Sequence, residues 1–418
     1  MRPLRHSKVA SLRHINANNS HSQYIPHIVN DPLRHAMRHK TTLHLLHPSR
    51  RQMLRQCGAL LGAGALSIPA LAADDTLAQR VGGGWQMREQ AFQIGALRMD
   101  WENQRVFTEF AVNTPTLPHA IVPEPGGGFL AVATRPGTWM WRISAHGDIR
   151  HQLDMEQEGA GRTLDGHVIA SLDGHWLYTG ETDRSTGEGW VSVRDVRTLR
   201  KVAEHRTGGI DPHQILVDAQ GRLVIANGGI PRTPGGDKRN LEQMRPSLVL
   251  LQPGNGEILG EWRLRDARLA PHHIAWNRPL ANGPLLLGIG LQAEHDDPTR
   301  RRDAPLLAVW DGNTLTTPSH MVADGYAGDV AAGPNGGFVL TAQRANRVLL
   351  WQPHEPGKLM TIGKLQNPCG LWPLEDAPGV AVGAGLGLAR WHPTDAGAML
   401  PWPQGMAAGN HWAVLEIS

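Results

Sequence analysis

Short apolar runs of roughly four to eight residues, separated by turn residues, recur along most of the chain. In one stretch the runs cover residues 213–217, 222–226, 247–251 and 257–264. The preceding stretch repeats this at 167–171, 176–179, 190–196 and 201–205. Asp, Asn, Gly and Pro residues fill several of the gaps, as β-turns require. Because no long segment shows helical periodicity, the pattern predicts an all-β protein.

One short motif starts each repeat of this pattern. It reads Pro or Gly, then a polar residue that can bind a metal, then any residue, then an aliphatic one. The polar residues are His119, His167, His213, His272, Asp329 and Cys369. They lie 48, 46, 59, 57 and 40 residues apart, close to the roughly 40–50 residues of one β-propeller blade. The motif therefore predicts six successive blades, with its polar residues at one equivalent position around a central axis.

The two ends of the chain supply a seventh blade. Residues 409–415 resemble the start of an inner strand and put His411 at the motif position, while runs at 93–99 and 105–112 supply outer strands. Joining both ends in one sheet closes the ring without a free edge. We therefore predict a seven-bladed β-propeller of four-stranded blades, whose last blade is closed by N- and C-terminal strands. The even repeat disfavours two β-sandwiches or a two-domain enzyme.

An export signal precedes the predicted propeller. A twin-arginine pattern is followed by a short apolar run and a small-residue cleavage site. The apolar run is too short and too rich in Gly and Ala to form a stable membrane anchor. The residues that define the signal are Arg50, Arg51, Ala70 and Ala72.

This signal sets the domain boundary and changes the charge of the chain. We predict that residues 1–72 are removed, with Met37 as a possible true start, and that residues 73–418 form one propeller domain in the periplasm, as a monomer. Residues 1–72 hold ten of the 41 Lys and Arg but one of the 38 Asp and Glu, so the net charge of the exported part is near −6. The excess of positive charge is removed together with the signal. We therefore expect that nucleic acid is not a partner. Cys369 is the one thiol left, so no internal disulfide can form.

A ring of side chains at the channel mouth is the main candidate site. It would contain the six motif residues and His411, each at the first residue of an inner strand; register favours His272 over His273. Imidazole, carboxylate and thiolate bind transition metals such as Fe, Cu or Zn at neutral pH. With metal–ligand bonds of about 2.0–2.3 Å, one ion reaches only some of the seven. A competing interpretation is that these histidines only form hydrogen bonds between strands.

A second layer of polar residues, near the ends of second strands, would flank the same mouth. Some could orient the imidazoles, and a polar loop at 231–245 could cover the channel. The acidic run at 294–297 is a weaker candidate for a hard cation. The second-layer residues are Arg135, Glu181, Asp183, Asn227, Arg245, Glu294, His295, Gln343 and Arg344.

Several of these stretches, in their order, resemble a bacterial family known as domain of unknown function 1513. They include Gly166-His167, the run from Tyr178 to Asp183, Pro212-His213, the run from Ala226 to Ile230, Cys369-Gly370 and Asn410-His411. The resemblance implies a seven-bladed propeller of the YVTN/WD40-like kind, exported by the twin-arginine pathway and without established activity. It also implies a gene context beside imelysin-like iron-uptake lipoproteins and dihaem oxidoreductases. Members tend to have Trp-Asp before the final Asn-His, where this chain has Ala408-Gly409.

Three functions remain open. The leading one is a periplasmic propeller that binds a metal ion or a partner protein, such as an iron-uptake or redox protein, in iron or metal handling and without catalysis. The alternative is a metal-dependent oxidoreductase or a lactonase-like hydrolase that uses the histidine-lined mouth. The third is a purely structural interaction module. We find no P-loop, dinucleotide fingerprint, nucleophile elbow or haem-attachment motif.

Overall fold

The computed structural model describes residues 78–88, 91–318, 322–374 and 379–416. Within these residues it contains seven four-stranded antiparallel sheets. The predicted all-β propeller of seven blades is therefore confirmed. The twin-arginine signal, with Arg50, Arg51, Ala70 and Ala72, lies outside the described residues.

Each of the first six blades is built from four consecutive strands, numbered from the channel outwards. Blade 1 has β4 (Pro118–Pro123), β5 (Phe129–Ala133), β6 (Trp139–Ile143) and β7 (Ile149–Asp154). Blade 2 has β8 (Arg162–Ala170), β9 (Trp176–Asp183), β10 (Glu188–Asp195) and β11 (Lys201–Ile210). Blade 3 has β12 (Pro212–Val217), β13 (Leu223–Asn227), β14 (Ser247–Leu251) and β15 (Ile258–Trp262).

The remaining blades follow the same order, except at the closure. Blade 4 has β16 (Leu269–Trp276), β17 (Leu287–Ala293), β18 (Leu307–Trp310) and β19 (Leu315–Thr316). Blade 5 has β20 (Asp329–Ala332), β21 (Phe338–Ala342), β22 (Arg347–Trp351) and β23 (Leu359–Lys364). Blade 6 has β24 (Leu371–Pro373), β25 (Val380–Ala384), β26 (Gly387–Trp391) and β27 (Ala398–Pro401). Blade 7 has β28 (Met406–Val414), β1 (Ala78–Met87), β2 (Phe92–Asp100) and β3 (Arg105–Thr114).

Blade 7 closes the ring by joining the two ends of the described chain. Its innermost strand β28 pairs antiparallel with β1, with Val414 opposite Val81 and Trp412 opposite Gly83. The sequence predicted β28, β2 and β3 but not β1, whose central Gly82-Gly83-Gly84 run lacks β-branched residues. A glycine is needed at Gly83, because a Cβ there would lie 2.0 Å from Cε3 of the Trp412 ring.

The core lies between neighbouring blades. Leu248 of blade 3 packs in one buried cluster with Ile274 and Trp310 of blade 4. At the closure Trp412 stacks on Trp402 with ring centroids 5.0 Å apart. Each buried tryptophan adds a wide apolar area to this packing. Trp310 and Trp412 therefore pack between neighbouring blades.

β-Bulges interrupt the innermost strands at the histidines. The register shifts between Pro118 and Ile121 in β4, between Leu164 and Val168 in β8, and at His213 in β12. Equivalent irregularities lie in β16, around His272 and His273, and in β28, just before Trp412. A bulge adds one residue against the partner strand and turns a side chain away from the regular alternation. Here it points imidazoles into the channel while the strand remains paired.

Short helices lie outside the sheets. The described ranges contain α1 (Met155–Glu158), capped by the Asp154 carboxylate, and α2 (Pro298–Arg302), capped by Asp297. Among the residues described, no helix has the length and apolar character needed to cross a membrane.

We expect Trp412→Ala to lower the free energy of unfolding by about 3–5 kcal/mol, because it leaves a large cavity between blades 6 and 7. Trp412 is 5% exposed. The matched control is Trp176→Ala, because Trp176 is 37% exposed and leaves no enclosed cavity. Urea unfolding followed by circular dichroism compares the two variants. Equal losses for both would contradict the proposed importance of the closure.

Candidate metal centre

Six of the described histidines converge in the channel from five different blades. His119 comes from β4, His167 from β8, His213 from β12 and His411 from β28, while β16 supplies both His272 and His273. Their ring nitrogens form two overlapping groups, each with all its ligand atoms within 4.8 Å of one another. The first group is His119, His167, His273 and His411; the second is His213, His272 and His273.

The sequence favoured His272 over His273 for the ring, and the structure places both in the channel. Both side chains are buried in the channel, and His273 is the one shared by the two groups. The reason is the bulge between Pro271 and Ile274, which leaves both histidines unpaired with β17. A regular strand would have sent them to opposite faces. The double-His sequence is the signal that could have indicated the bulge.

Burial keeps most of these imidazoles neutral. It is the main reason that the pKa values of His119, His167, His213 and His272 lie well below the usual value. Neighbouring imidazoles and Arg135 lower them further. For His273, burial and His411 lower the pKa to about 3. A neutral imidazole has one free lone pair, which is the form that binds a metal.

Arg135 fixes the proton positions in the second group. Its guanidinium donates from Nη1 to His213 Nδ1 at 2.7 Å and from Nη2 to His272 Nε2 at 2.8 Å. Since a guanidinium only donates, both of these nitrogens accept. The proton of neutral His213 is therefore on Nε2, which lies 2.9 Å from His273 Nε2 and donates to it. The Nε2 lone pair of His273 thus points into the cluster.

Asp329 fixes the orientation of the pair His273 and His411. Its carboxylate oxygen lies 3.6 Å from His411 Nδ1 and favours the proton on that nitrogen. The His411 Nε2 lone pair then faces His273 Nε2 at 3.2 Å. Since the His273 Nε2 lone pair already accepts from His213, these two nitrogens repel each other unless His411 also carries a proton on Nε2 or a metal ion binds both. Burial alone would raise the pKa of Asp329, but His411 and the Leu371 backbone N–H hold it below the usual value.

His119 and His167 complete the first group with free nitrogens. Their Nε2 atoms are buried and have no hydrogen-bond partner within the described part of the chain. The rings lie edge to face, with centroids 4.8 Å apart. A histidine that ties strands together is typically hydrogen bonded, so these two nitrogens favour the metal-binding interpretation over the purely structural one. Buried polar atoms without partners are uncommon and point to an ion or ligand.

A layer of paired charges covers the second group. Asp211 accepts from Arg135 at 3.0 Å and from Arg232 at 2.8 Å. Arg232 belongs to the predicted polar loop, and Lys238 of the same loop binds Glu294 at 2.6 Å. The loop therefore lies beside the channel mouth, as its sequence position suggested. Asp211 had not been singled out, although it stands two residues before His213.

Two ring positions do not join the metal-binding groups. Asp329 accepts from two backbone N–H groups, those of Val330 and Leu371, each at 2.8 Å. Cys369 accepts from the Gln343 amide at 3.0 Å. Burial, followed by Asp329, raises the pKa of the Cys369 thiol to about 12, which makes it a poor metal ligand and a poor nucleophile. The mixed ring predicted from the sequence is thus a histidine cluster with Asp329 beside it.

Most of the predicted second layer has other partners. Of these residues, Arg135 is the one with hydrogen bonds to cluster histidines in the described chain. Asn227 donates to Thr207 and Ser247, and Asp183 accepts from Ser185 and Thr186. Arg344 lies over the Tyr326 ring, 4.8 Å from its centroid. Arg245 lines a separate cavity of about 290 Å³ beside blade 2.

Glu181 belongs to a buried ion network rather than to the channel mouth. It is fully buried and binds Arg194 at 2.7 Å, with Arg162 at 3.8 Å. Arg194 in turn binds Glu158 of α1 at 2.6 Å. Glu181 and Asp183 were expected on one face next to the histidines. The large buried Arg194 on the neighbouring strand takes Glu181 instead, because a buried carboxylate requires a charged partner.

The acidic run at 294–297 is neutralised by its own neighbours. Glu294 binds Lys238, Asp296 binds Arg268 at 2.7 Å, and Asp297 caps α2. His295 pairs with Asp266 at 2.8 Å. Because each acidic group already has a partner, the run does not offer a calcium site.

Comparisons with known proteins agree with the fold. A family model described as "Protein of unknown function (DUF1513)" matches residues 112–415. No curated protein matches the chain. A streptogramin B lyase structure is 15% identical, with 74% of this chain and 92% of that chain covered and a TM-score of 0.46. Virginiamycin B lyase from Staphylococcus aureus is 12% identical, with 68% and 84% covered and a TM-score of 0.44.

A further structure is more similar in shape. Kuenenia stuttgartiensis hydrazine synthase is 12% identical, with 79% of this chain and 99% of that chain covered and a TM-score of 0.52. At such low identity the likeness concerns the fold alone. Function must therefore be inferred from the residues of this chain.

We expect Glu181→Gln to lower the free energy of unfolding by about 3 kcal/mol, because it leaves the buried Arg194 with too little negative charge. The control is Glu188→Gln. Glu188 pairs with Arg206 on the surface, where an ion pair contributes less than about 1 kcal/mol. Urea unfolding compares the two. A loss of metal binding in Glu181→Gln, with stability unchanged, would show that Glu181 belongs to the metal site.

We expect the Cys369 thiol of the folded protein not to react with iodoacetamide at about pH 8. At a pKa of about 12 only roughly 10⁻⁴ of the thiol is ionised. The full sequence has one other cysteine, Cys57, in the predicted signal. Mass spectrometry of a Cys57→Ser variant, native and in denaturant, gives the extent of alkylation of Cys369. Rapid modification of the native protein would contradict this expectation and would show that Cys369 is an accessible, reactive thiolate.

Proposed function

Since this chain belongs to the DUF1513 family of proteins of unknown function, we propose from its own site that it binds one transition-metal ion. The ion is held in the channel by His119, His167, His273 and His411. The observation that carries this proposal is the convergence of four imidazoles from four blades, with ligand nitrogens within 4.8 Å of one another. Zn²⁺, Cu²⁺ and Fe²⁺ are the candidates, because imidazole suits all three.

The spacing of the nitrogens supports a tetrahedral ion. Two nitrogens that are each about 2.0–2.1 Å from a tetrahedral metal lie about 3.3–3.4 Å apart. The His273 and His411 Nε2 atoms are 3.2 Å apart. The buried Nε2 atoms of His119 and His167, without other partners among the described residues, supply the third and fourth ligands. Asp329 would orient His411 as a carboxylate commonly orients a metal-bound imidazole.

The energy balance also favours an ion over the hydrogen-bonded cluster. An ion at His273 Nε2 would displace the hydrogen bond from His213, whose net contribution is about 1 kcal/mol. Binding of a structural zinc ion contributes on the order of 10 kcal/mol at neutral pH. The free energy lost with this hydrogen bond is therefore small compared with the free energy gained when the metal binds.

A binding role is better supported than hydrolysis. Five of the six cluster histidines are at most 7% exposed, and Cys369 is protonated. A lactonase-like reaction needs an open position where substrate reaches the metal, whereas four histidines fill a tetrahedral shell. We accordingly propose a periplasmic metal-binding propeller in metal handling, exported with its signal at Arg50 and Arg51. A partner among iron-uptake or redox proteins stays a prediction.

We expect the protein, isolated from its native host, to contain about one metal ion per chain by elemental analysis. His167→Ala should reduce this at least fivefold, because it removes one of four ligands. The matched control is His354→Ala, since His354 is exposed in the turn between β22 and β23 and should leave metal content unchanged.

Equilibrium dialysis of the metal-free protein against Zn²⁺, Cu²⁺ and Fe²⁺ provides the second test. Absence of binding to all three would refute the proposed function. Full metal content in a folded His167→Ala variant would refute the proposed ligand set. Circular dichroism of each variant confirms that the fold persists.

A further inference from the structure

The Arg135 guanidinium lies where three acceptors from two blades converge. It contacts His213 Nδ1 at 2.7 Å, His272 Nε2 at 2.8 Å and Asp211 Oδ1 at 3.0 Å. The two imidazole rings are parallel, with centroids 3.7 Å apart and an interplanar angle of 8°. Two imidazoles and one carboxylate are a frequent donor set for divalent transition metals.

We propose that these three residues form a second cation site whose permanent occupant is the side chain of Arg135. The site deepens the proposed function, because its occupant determines how many ions the channel takes. With Arg135 in place the chain binds one ion, at the four-histidine group. Without it the second site becomes available to a divalent metal.

The hydrogen bonds support this interpretation. A guanidinium N–H and a metal ion both approach an imidazole along its lone pair. The metal would lie nearer, at about 2.0–2.1 Å from nitrogen, so without Arg135 one of the two stacked rings rotates until both lone pairs point at the same ion. The remaining carboxylate oxygen of Asp211 is buried and has no hydrogen-bond partner in the residues described. This oxygen of Asp211 can therefore accept a further hydrogen bond or bind a cation.

The guanidinium is held firmly in place. Asp211 bridges it to Arg232 of the covering loop at 2.8 Å, and the Arg135 side chain is 15% exposed. Its positive charge also repels a divalent ion that approaches His213 or His272. At the first group the same charge acts only through space, because His119, His167 and His411 make no hydrogen bond with Arg135 among the described residues. Its effect on the pKa values of His119 and His167 is smaller than that of burial.

The test is the metal stoichiometry of Arg135→Met and Arg135→Lys, compared with the unmodified full chain. Methionine has a similar length and no charge, whereas lysine keeps a cation at the site. Zn²⁺ bound after equilibrium dialysis should be one per chain for the unmodified protein and Arg135→Lys, and two for Arg135→Met. Adding His272→Ala to Arg135→Met should return the value to one.

The outcomes separate the two proposals. No Zn²⁺ in the unmodified protein and one in Arg135→Met would refute the proposed function and support the second site. One ion in both would overturn this inference and leave the proposed function intact. Two ions in the double variant would place the additional ion elsewhere and also overturn it.

A second measurement applies if Arg135→Met does not fold. His272→Ala in the otherwise unmodified chain should keep its single Zn²⁺, because His272 holds Arg135 and not the ion. His119→Ala should reduce the amount of bound Zn²⁺ at least fivefold. Loss of the ion in folded His272→Ala would overturn the inference, since His272 would then be a ligand of the native metal.

Discussion

The pairing of β28 with β1 is the constraint on which the rest of the structure depends. It joins distant parts of the chain in one sheet and leaves no free edge in the ring. It also brings His411 to within 3.2 Å of His273, from a strand 138 residues away in sequence. The histidine cluster is therefore a property of the closed ring. A ring that opened at blade 7 would lose both its stability and the fourth imidazole of the proposed site.

Placing six imidazoles in one channel is costly unless they remain neutral and find partners. Burial lowers the pKa of His273 to about 3 and shifts four of the others down as well. The only full positive charge with hydrogen bonds to the cluster, among the described residues, is Arg135. Asp211 balances that charge. The channel thus separates into a charged half around Arg135 and a neutral half around His119 and His167.

Much of the fold was predictable because blades repeat. The motif spacing gave six blade starts, and His411 indicated the closing strand. The bulges were not predictable, since the strand pattern around His272 and His273 fits two registers equally well. Contacts between blades were also beyond the sequence. Glu181 pairs with Arg194 because of the way their two neighbouring strands are aligned. Asp211 binds Arg135, which belongs to another blade and lies 76 residues away in the sequence.

The position of Asp329 determines which nitrogen of His411 is available to the proposed metal ion. If His411 donated from Nε2 to His273, its Nδ1 lone pair would face the Asp329 carboxylate at 3.6 Å, which is repulsive. If Nδ1 carries the proton, the repulsion moves to the two Nε2 atoms, and either a second proton on His411 or a metal ion relieves it. The buried Nε2 atoms of His119 and His167 face the same problem without any donor in the described chain. A single metal ion satisfies all four nitrogens at once, which no arrangement of protons on neutral imidazoles does.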